Sequence, residues 1–355
     1  MRNVYLLLLI LLTTALPSKA QQVRFFDSQY RLPGSLIDRI FQDPHGNVWF
    51  TGKSGAIKYG GMTFSREPLR YTNAPTLPWV KCMEFLDGER ILFGTSRGLV
   101  LNECMTDTFK MLPIYINNTV FDNYFVSSVV KSQKLGAILV TCSGNGIAAL
   151  DPNTLEPLKP LTDTINQLID TKFPGAMYID SRNNLWTFSS EGNFINIDLN
   201  TLTRSTLRFQ DGILPSAVTS VTEVPTTGDI LIGTSHSGIL RYSQKDNIVT
   251  PTKATADITG GINVIMHPRA QGTDHIFWIG SEEYGLMLYD NNTQKVITPS
   301  LRNDNIDLHN CKIHDIFEDR QGNIWAAAYQ KGGVFVPKSA ADYIIDNQQH
   351  SIGGG

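Results

Sequence analysis

Residues 42–52 read QDPHGNVWFTG, and residues 318–328 read EDRQGNIWAAA. In both, an Asp, a Gly-Asn pair and a Trp stand at the same spacing, flanked by apolar runs. With Trp49 as anchor the same pattern recurs seven times. The equivalent residues are Trp49, Leu92, Leu139, Trp186, Leu231, Trp278 and Trp325, separated by 43, 47, 47, 45, 47 and 47 residues. So steady a period marks a chain built from one supersecondary unit.

Each copy opens with an alternating stretch such as IDRIFQD (37–43) or IHDIFED (313–319), whose period of two suits a strand. A turn of Asp, Gly and Asn follows; Gly and Asn tolerate positive φ, and Asp bonds nearby backbone, so two antiparallel strands can be joined tightly. The anchor strand comes next, then a polar loop, a third strand such as AIKY, GLVL or GLMLY, and a weaker fourth strand rich in Thr and Lys. About 45 residues in four short strands is the size of one propeller blade, which cannot bury both faces alone. The expected fold is all-β: a seven-bladed β-propeller of four-stranded antiparallel blades over residues 21–347. The anchor Trp and Leu side chains are expected to pack between blades. Either VRFFD (23–27) or ADYIIDN (341–347) could supply the strand that closes the ring.

The first twenty residues stand apart. Arg2, the apolar run from Val4 to Leu12 and Ser18-Lys19-Ala20 form a signal peptide for export, with cleavage expected after Ala20. With 30 basic and 33 acidic residues the net charge is −3, so no overall field draws the chain to nucleic acid. Cys82, Cys104, Cys142 and Cys311 show no metal-ligand spacing, and buried thiols are expected, with a Cys82–Cys104 disulfide as the alternative. The seven histidines lack ligand spacing too, so neither a metal nor a cofactor is expected.

The blades lack the Trp-Asp dipeptide of WD40 repeats and the regular paired glycines of kelch repeats. Phe41 and Phe317 stand where sialidase Asp boxes carry Ser or Thr. The stretches 32–61, 214–243, 276–290 and 310–336 instead resemble the two-component regulator propeller repeats of Bacteroidetes hybrid two-component systems. Residues 32–61 read LPGSLIDRIFQDPHGNVWFTGKSGAIKYGG and 310–336 read NCKIHDIFEDRQGNIWAAAYQKGGVFV. The repeats around Leu92, Leu139 and Trp186 are degenerate, with Ser189-Ser190 where Gly-Thr is expected. The resemblance implies the first propeller of a periplasmic sensor, with residues 348–355 as a linker toward a second propeller. It also implies further receptor segments, a homodimer and a histidine kinase module that this sequence does not contain.

No catalytic motif is present: no GxSxG, HExxH, Walker-type loop or GxGxxG opening a helix. Variable loops on a repeated scaffold are the natural place for specificity. Those loops, on the face shared by the second-to-third strand turns and the inter-blade connections, supply the binding candidates Trp79, Arg97, Asn123, Tyr124, His236, Glu283, Tyr284, His309 and Lys331. Trp79 and Tyr124 are aromatics that break the repeat; flanked by Arg97, Asn123 and Glu283, they would suit an oligosaccharide, with rings stacking on CH groups and polar groups meeting hydroxyls. The alternatives are a dimerisation scaffold that touches no ligand and a secreted propeller lyase or glycosidase.

Overall fold

Seven blades surround one axis, each with its innermost strand a against the strand a of the next blade. The computed structural model describes residues 23–27, 32, 34–67, 78–106, 108–189, 194–211, 217–256, 258, 260–269, 272–299, 308 and 311–352, with 346–352 by backbone alone. The expected signal peptide lies outside the described residues. Strands a, b and c are Ile37–Gln42, Val48–Gly52 and Gly55–Tyr59 in blade one, and Val80–Phe85, Arg90–Thr95 and Gly98–Glu103 in blade two. They are Val129–Ser132, Ala137–Cys142 and Gly146–Leu150 in blade three, and Pro174–Ile179, Asn184–Ser189 and Phe194–Asp198 in blade four. In blades five to seven they start at Val218, Ile230 and Ile239, then Ile262, Ile276 and Leu286, then Ile313, Ile324 and Gly332.

The apolar core is divided among seven clusters, one at each blade-to-blade interface. Both faces of a propeller blade are buried, so strand b in every blade is apolar with little alternation. Anchor residues occupy these interfaces, as expected: Trp49 lies 5.8 Å from Phe93 of blade two, and Trp186 lies 5.1 Å from Tyr242 of blade five. Trp325 meets Phe50 of blade one at 5.8 Å, which joins the last blade to the first.

The turn before Trp49 explains the recurring motif. The Asp43 carboxylate accepts the Asn47 backbone N–H at 2.8 Å, the Asn47 amide at 2.8 Å and the Trp49 indole N–H at 3.0 Å. Asp180 does the same for Asn184 and Trp186, and Asp319 for Asn323 and Trp325. The residue before Asn has positive φ in all three: Gly46, Asn183 and Gly322, which is why only Gly or Asn stands there.

Of the two closing candidates, the N-terminal one is the strand. Arg24–Phe26 pairs antiparallel with strand c of blade seven, Phe26 opposite Gly333. The alternative, ADYIIDN, is instead part of a helix, α2 (Lys338–Ile352). Its buried Ala341, Ile344 and Ile345 follow helical spacing and pack into the interface of blades six and seven. Residues 348–352, expected to begin a linker, continue this helix.

Blade three departs from the four-stranded expectation. Its outer strand is replaced by α1 (Lys159–Ile169), which buries Thr162, Ile165 and Ile169. Asn166 donates to the Ile147 carbonyl at 2.7 Å and accepts from its N–H at 2.9 Å, while Thr162 Oγ1 accepts from Ala149 N–H at 3.0 Å. Residues 162 and 166 are one helical turn apart and meet alternate residues of strand c, so two side chains stand in for the peptide groups of a fourth strand. A hairpin, Ile114–Ile116 with Thr119–Phe121, is inserted before this blade, and Arg208–Phe209 adds a parallel outer strand to blade five. No disulfide forms; Cys142 and Cys311 are buried, whereas Cys104 is exposed. No described helix is long and apolar enough to cross a membrane.

Candidate ligand-binding face at the mouth of the propeller

Six of the seven inner strands carry a register shift at their second residue: between Ile37 and Arg39, Val80 and Cys82, Pro174 and Met177, Val218 and Ser220, Ile262 and Val264, and Ile313 and Asp315. A bulge takes a residue out of the ladder and re-aims its side chain. The residues so released include Asp38, Lys81, Thr219, Asn263 and His314. Their side chains reach the neighbouring blade at one end of the axis: Asn263 Nδ2 donates to Ile313 O at 3.1 Å, Thr219 Oγ1 donates to Ile262 O, and His314 Nδ1 lies 3.1 Å from Asp38 Oδ1. In blade three Ser127 Oγ donates to Gly175 O at 3.0 Å.

At this belt the Trp79 indole N–H donates to Asp38 Oδ2. Trp79 is half-buried and meets Phe125 edge-on at 6.2 Å. The Lys81 ammonium sits 4.0 Å and the Lys53 ammonium 5.2 Å from the indole centroid. His314 stacks on Tyr329 at 4.4 Å, and Lys312 pairs with Glu282, which also accepts from Asn263 at 3.0 Å. Burial alone would raise the Asp38 carboxyl, but the His314 hydrogen bond, the Lys81 charge and the Trp79 N–H outweigh it and hold it below its ordinary value. Burial pushes the Lys81 ammonium down, and Asp38 offsets only part of that.

Of the residues expected to bind ligand, Trp79 occupies the mouth. Tyr124 does not: it is 5% exposed, its hydroxyl donates to Leu112 O at 2.7 Å, and it accepts from Leu99 N–H at 3.3 Å. A ring so enclosed cannot stack on a ligand, so Tyr124 is a packing residue. Asn123, His236, Glu283, Tyr284 and Lys331 are exposed on loops, and Arg97 is half-buried; His309 lies outside the described residues. His236 is 2.8 Å from Ser235 Oγ, and the Tyr284 N–H donates to Ser281 Oγ at 2.6 Å. The Arg97 loop is tied to Trp79 through Ser96, whose N–H donates to the Trp79 carbonyl at 2.9 Å and whose Oγ accepts the Trp79 backbone N–H at 3.2 Å.

Sequence reasoning missed Asp38, Lys81, His314, Tyr329 and Lys312. A signal was there. Between the two apolar residues that open each inner strand, as in IDRI, VKCM, VTSV, INVI and IHDI, the first intervening residue is the bulge residue. A second feature lies toward the rim of blade three: a cleft of about 760 Å³ lined by Asn117, Asn118, Asn145, Gln167, Lys172 and the exposed Phe173, among others.

Comparison with known proteins bears on the blade-seven repeat first. Residues 307–330 match the family described as two component regulator propeller. This stretch of blade seven is therefore similar to a regulator propeller repeat. The fold of the whole is similar to that of solved extracellular domains from B. thetaiotaomicron. One, of a hybrid two component system, is 19% identical with a TM-score of 0.71 over 89% of this chain and 42% of that one. Another, of a one component system, is 17% identical with a TM-score of 0.70 over 90% of this chain and 40% of that one. The chain thus spans about two fifths of the length of those domains. A streptogramin B lyase structure shares the fold at 15% identity and a TM-score of 0.59, covering 90% of this chain and 99% of that one. No curated protein matches this chain.

Proposed function

We propose that this chain is the extracytoplasmic propeller of a two-component receptor, exported to the periplasm, and that it takes part in detecting an oligosaccharide at the mouth of the ring. The receptor reading draws on the regulator propeller repeat at 307–330 and on the fold shared with extracellular domains of such systems. The single observation that carries the binding site is Trp79: a half-buried indole fixed by Asp38 on the loop-bearing face, where the other four tryptophans are buried between blades. An aromatic anchor held by a hydrogen bond inside a ring of polar groups is what a polyhydroxylated ligand requires. In the intact receptor a second propeller, further segments and a homodimer would convert occupancy into a signal. The likeness to a lyase is one of fold, and it assigns no catalytic residue here.

The test is calorimetric titration of the folded chain with an oligosaccharide panel, repeated with Trp79→Ala and with Phe173→Ala in the blade-three cleft. At least a tenfold loss of affinity in Trp79→Ala, about 1.4 kcal/mol, with little change in Phe173→Ala, supports the mouth as the site. The opposite pattern moves recognition to the cleft. A folded chain that binds no sugar favours the scaffold reading.

A further inference from the structure

Resting on that reading of the mouth, we propose that the ligand is an anionic oligosaccharide, whose carboxylate or sulfate is bound by Lys81 and Lys53 beside Trp79.

Two ammonium groups lie against one indole, at 4.0 and 5.2 Å from its centroid. Among the described residues neither forms an ion pair with a carboxylate. The carboxylate nearest in function, Asp38, has its oxygens engaged by His314 and by the Trp79 indole. Other charges of the neighbourhood are also matched: Arg39 with Asp315 at 3.3 Å, and Lys312 with Glu282. Lys53 and Lys81 set against the single carboxylate of Asp38 leave one positive charge in excess beside the indole. Burial disfavours the Lys81 charge; Asp38 attracts it and offsets part of that, while Arg39 and then Lys53 repel it.

A cation–π contact is worth about 1 kcal/mol at a partly exposed site. An anion seated between the two ammoniums would relieve their repulsion and add charge-assisted hydrogen bonds, while leaving Lys81 on the ring. A neutral sugar stacking on the indole must first displace Lys81, and it leaves Asp38 as the one acidic group offsetting the two ammoniums among the charges acting on Lys81. The geometry therefore selects for negative charge. The Lys81 bulge holds one ammonium on a rigid strand, and the Lys53 loop supplies the other.

The probes are trigalacturonate, which carries only carboxylates, a sulfated disaccharide from κ-carrageenan that lacks uronate, and neutral cellotriose. Each is titrated into the full chain at low and at 200 mM NaCl. Tighter binding of an acidic probe than of cellotriose is expected, weakened at least fivefold by salt and at least tenfold by Lys81→Gln. Lys53→Gln, at an exposed loop position, should weaken it without altering the melting temperature. Preference for one acid identifies the group as carboxylate or sulfate. Binding of cellotriose as tight as that of the acids, lost in Trp79→Ala but not in Lys81→Gln, overturns the charge inference and leaves the receptor reading standing. Binding of neither acid overturns the inference as well, and failure of every sugar counts against both.

Discussion

The indole nitrogen of Trp325 donates to the carboxylate of Asp319 at 2.9 Å, across a turn of six residues, and the bond recurs between Trp186 and Asp180 and between Trp49 and Asp43. One carboxylate thereby closes the hairpin, satisfies Asn and fixes the ring that fills the next interface. Replacing Asp319 with Ala leaves a buried indole N–H and an Asn side chain without their acceptor, and should cost about 3 kcal/mol. Trp278 has no such partner, and its Nε1 is unsatisfied among the described residues. Trp186→Phe should therefore cost about 1 kcal/mol more than Trp278→Phe in urea unfolding, since only the first breaks a hydrogen bond. Equal costs would show that the Asp bond adds nothing.

Closure rests on Phe26, which is 7% exposed and stacks on Trp325 at 5.8 Å beside Tyr59 and Phe64. Phe26→Ala should lower stability by about 3 kcal/mol. A chain starting at residue 28 should expose the edge of strand Gly332–Val336 and associate, which light scattering would detect. A truncated chain that stays monomeric with an unchanged melting temperature would refute this role.

Asn166 and Thr162 should be separable from the rest of α1. Asn166→Ala leaves the Ile147 N–H and carbonyl without their partner and should cost about 2 kcal/mol. Hydrogen exchange provides the local check: the Ile147 amide should lose protection while the Leu139 amide, deeper in the blade, keeps it. Uniform loss across blade three would point to collapse of the helix instead.

Glu84 should make stability depend on pH. Burial raises its carboxyl from 4.5 to about 6, and the Lys131 charge only partly opposes this. The folded state then binds more protons than the unfolded one between those values. This contribution is therefore greatest at low pH and declines as pH rises from 4.5 through about 6, by about 2 kcal/mol at most. Glu84→Gln should be more stable than the parent at pH 7 and should flatten that part of the profile. Chemical denaturation at pH 4.5, 5.5 and 7 decides it; parallel profiles would remove Glu84 as the cause.

The seven repeats, their strands a to c and the packing role of the anchor tryptophans were legible because period, alternation and turn chemistry are local. The outer layer was less so. Strand d has one face of neighbours and weak patterning, and the stretch 159–169 carries helical spacing at Ile165 and Ile169 that a search for a fourth strand passes over. At the C-terminus, Ala341, Ile344 and Ile345 fit a helix as well as a short strand until their burial is known.

For the binding face the two kinds of information divide cleanly. Trp79 stood out in the sequence because it breaks a repeat, and Tyr124 stood out for the same reason, yet one is half-exposed at the mouth and the other is enclosed behind Leu99 and Leu112. A departure from the pattern marks a residue without saying which way it faces. The sequence by itself determined the number of blades, since each 45-residue unit carries its own strand and turn signals. Only the tertiary structure decided that Asp38, Trp79 and His314 meet. His314 is 276 residues from Asp38 in the chain, and they touch because the ring closes and a bulge in each of their two inner strands releases these side chains from the ladder.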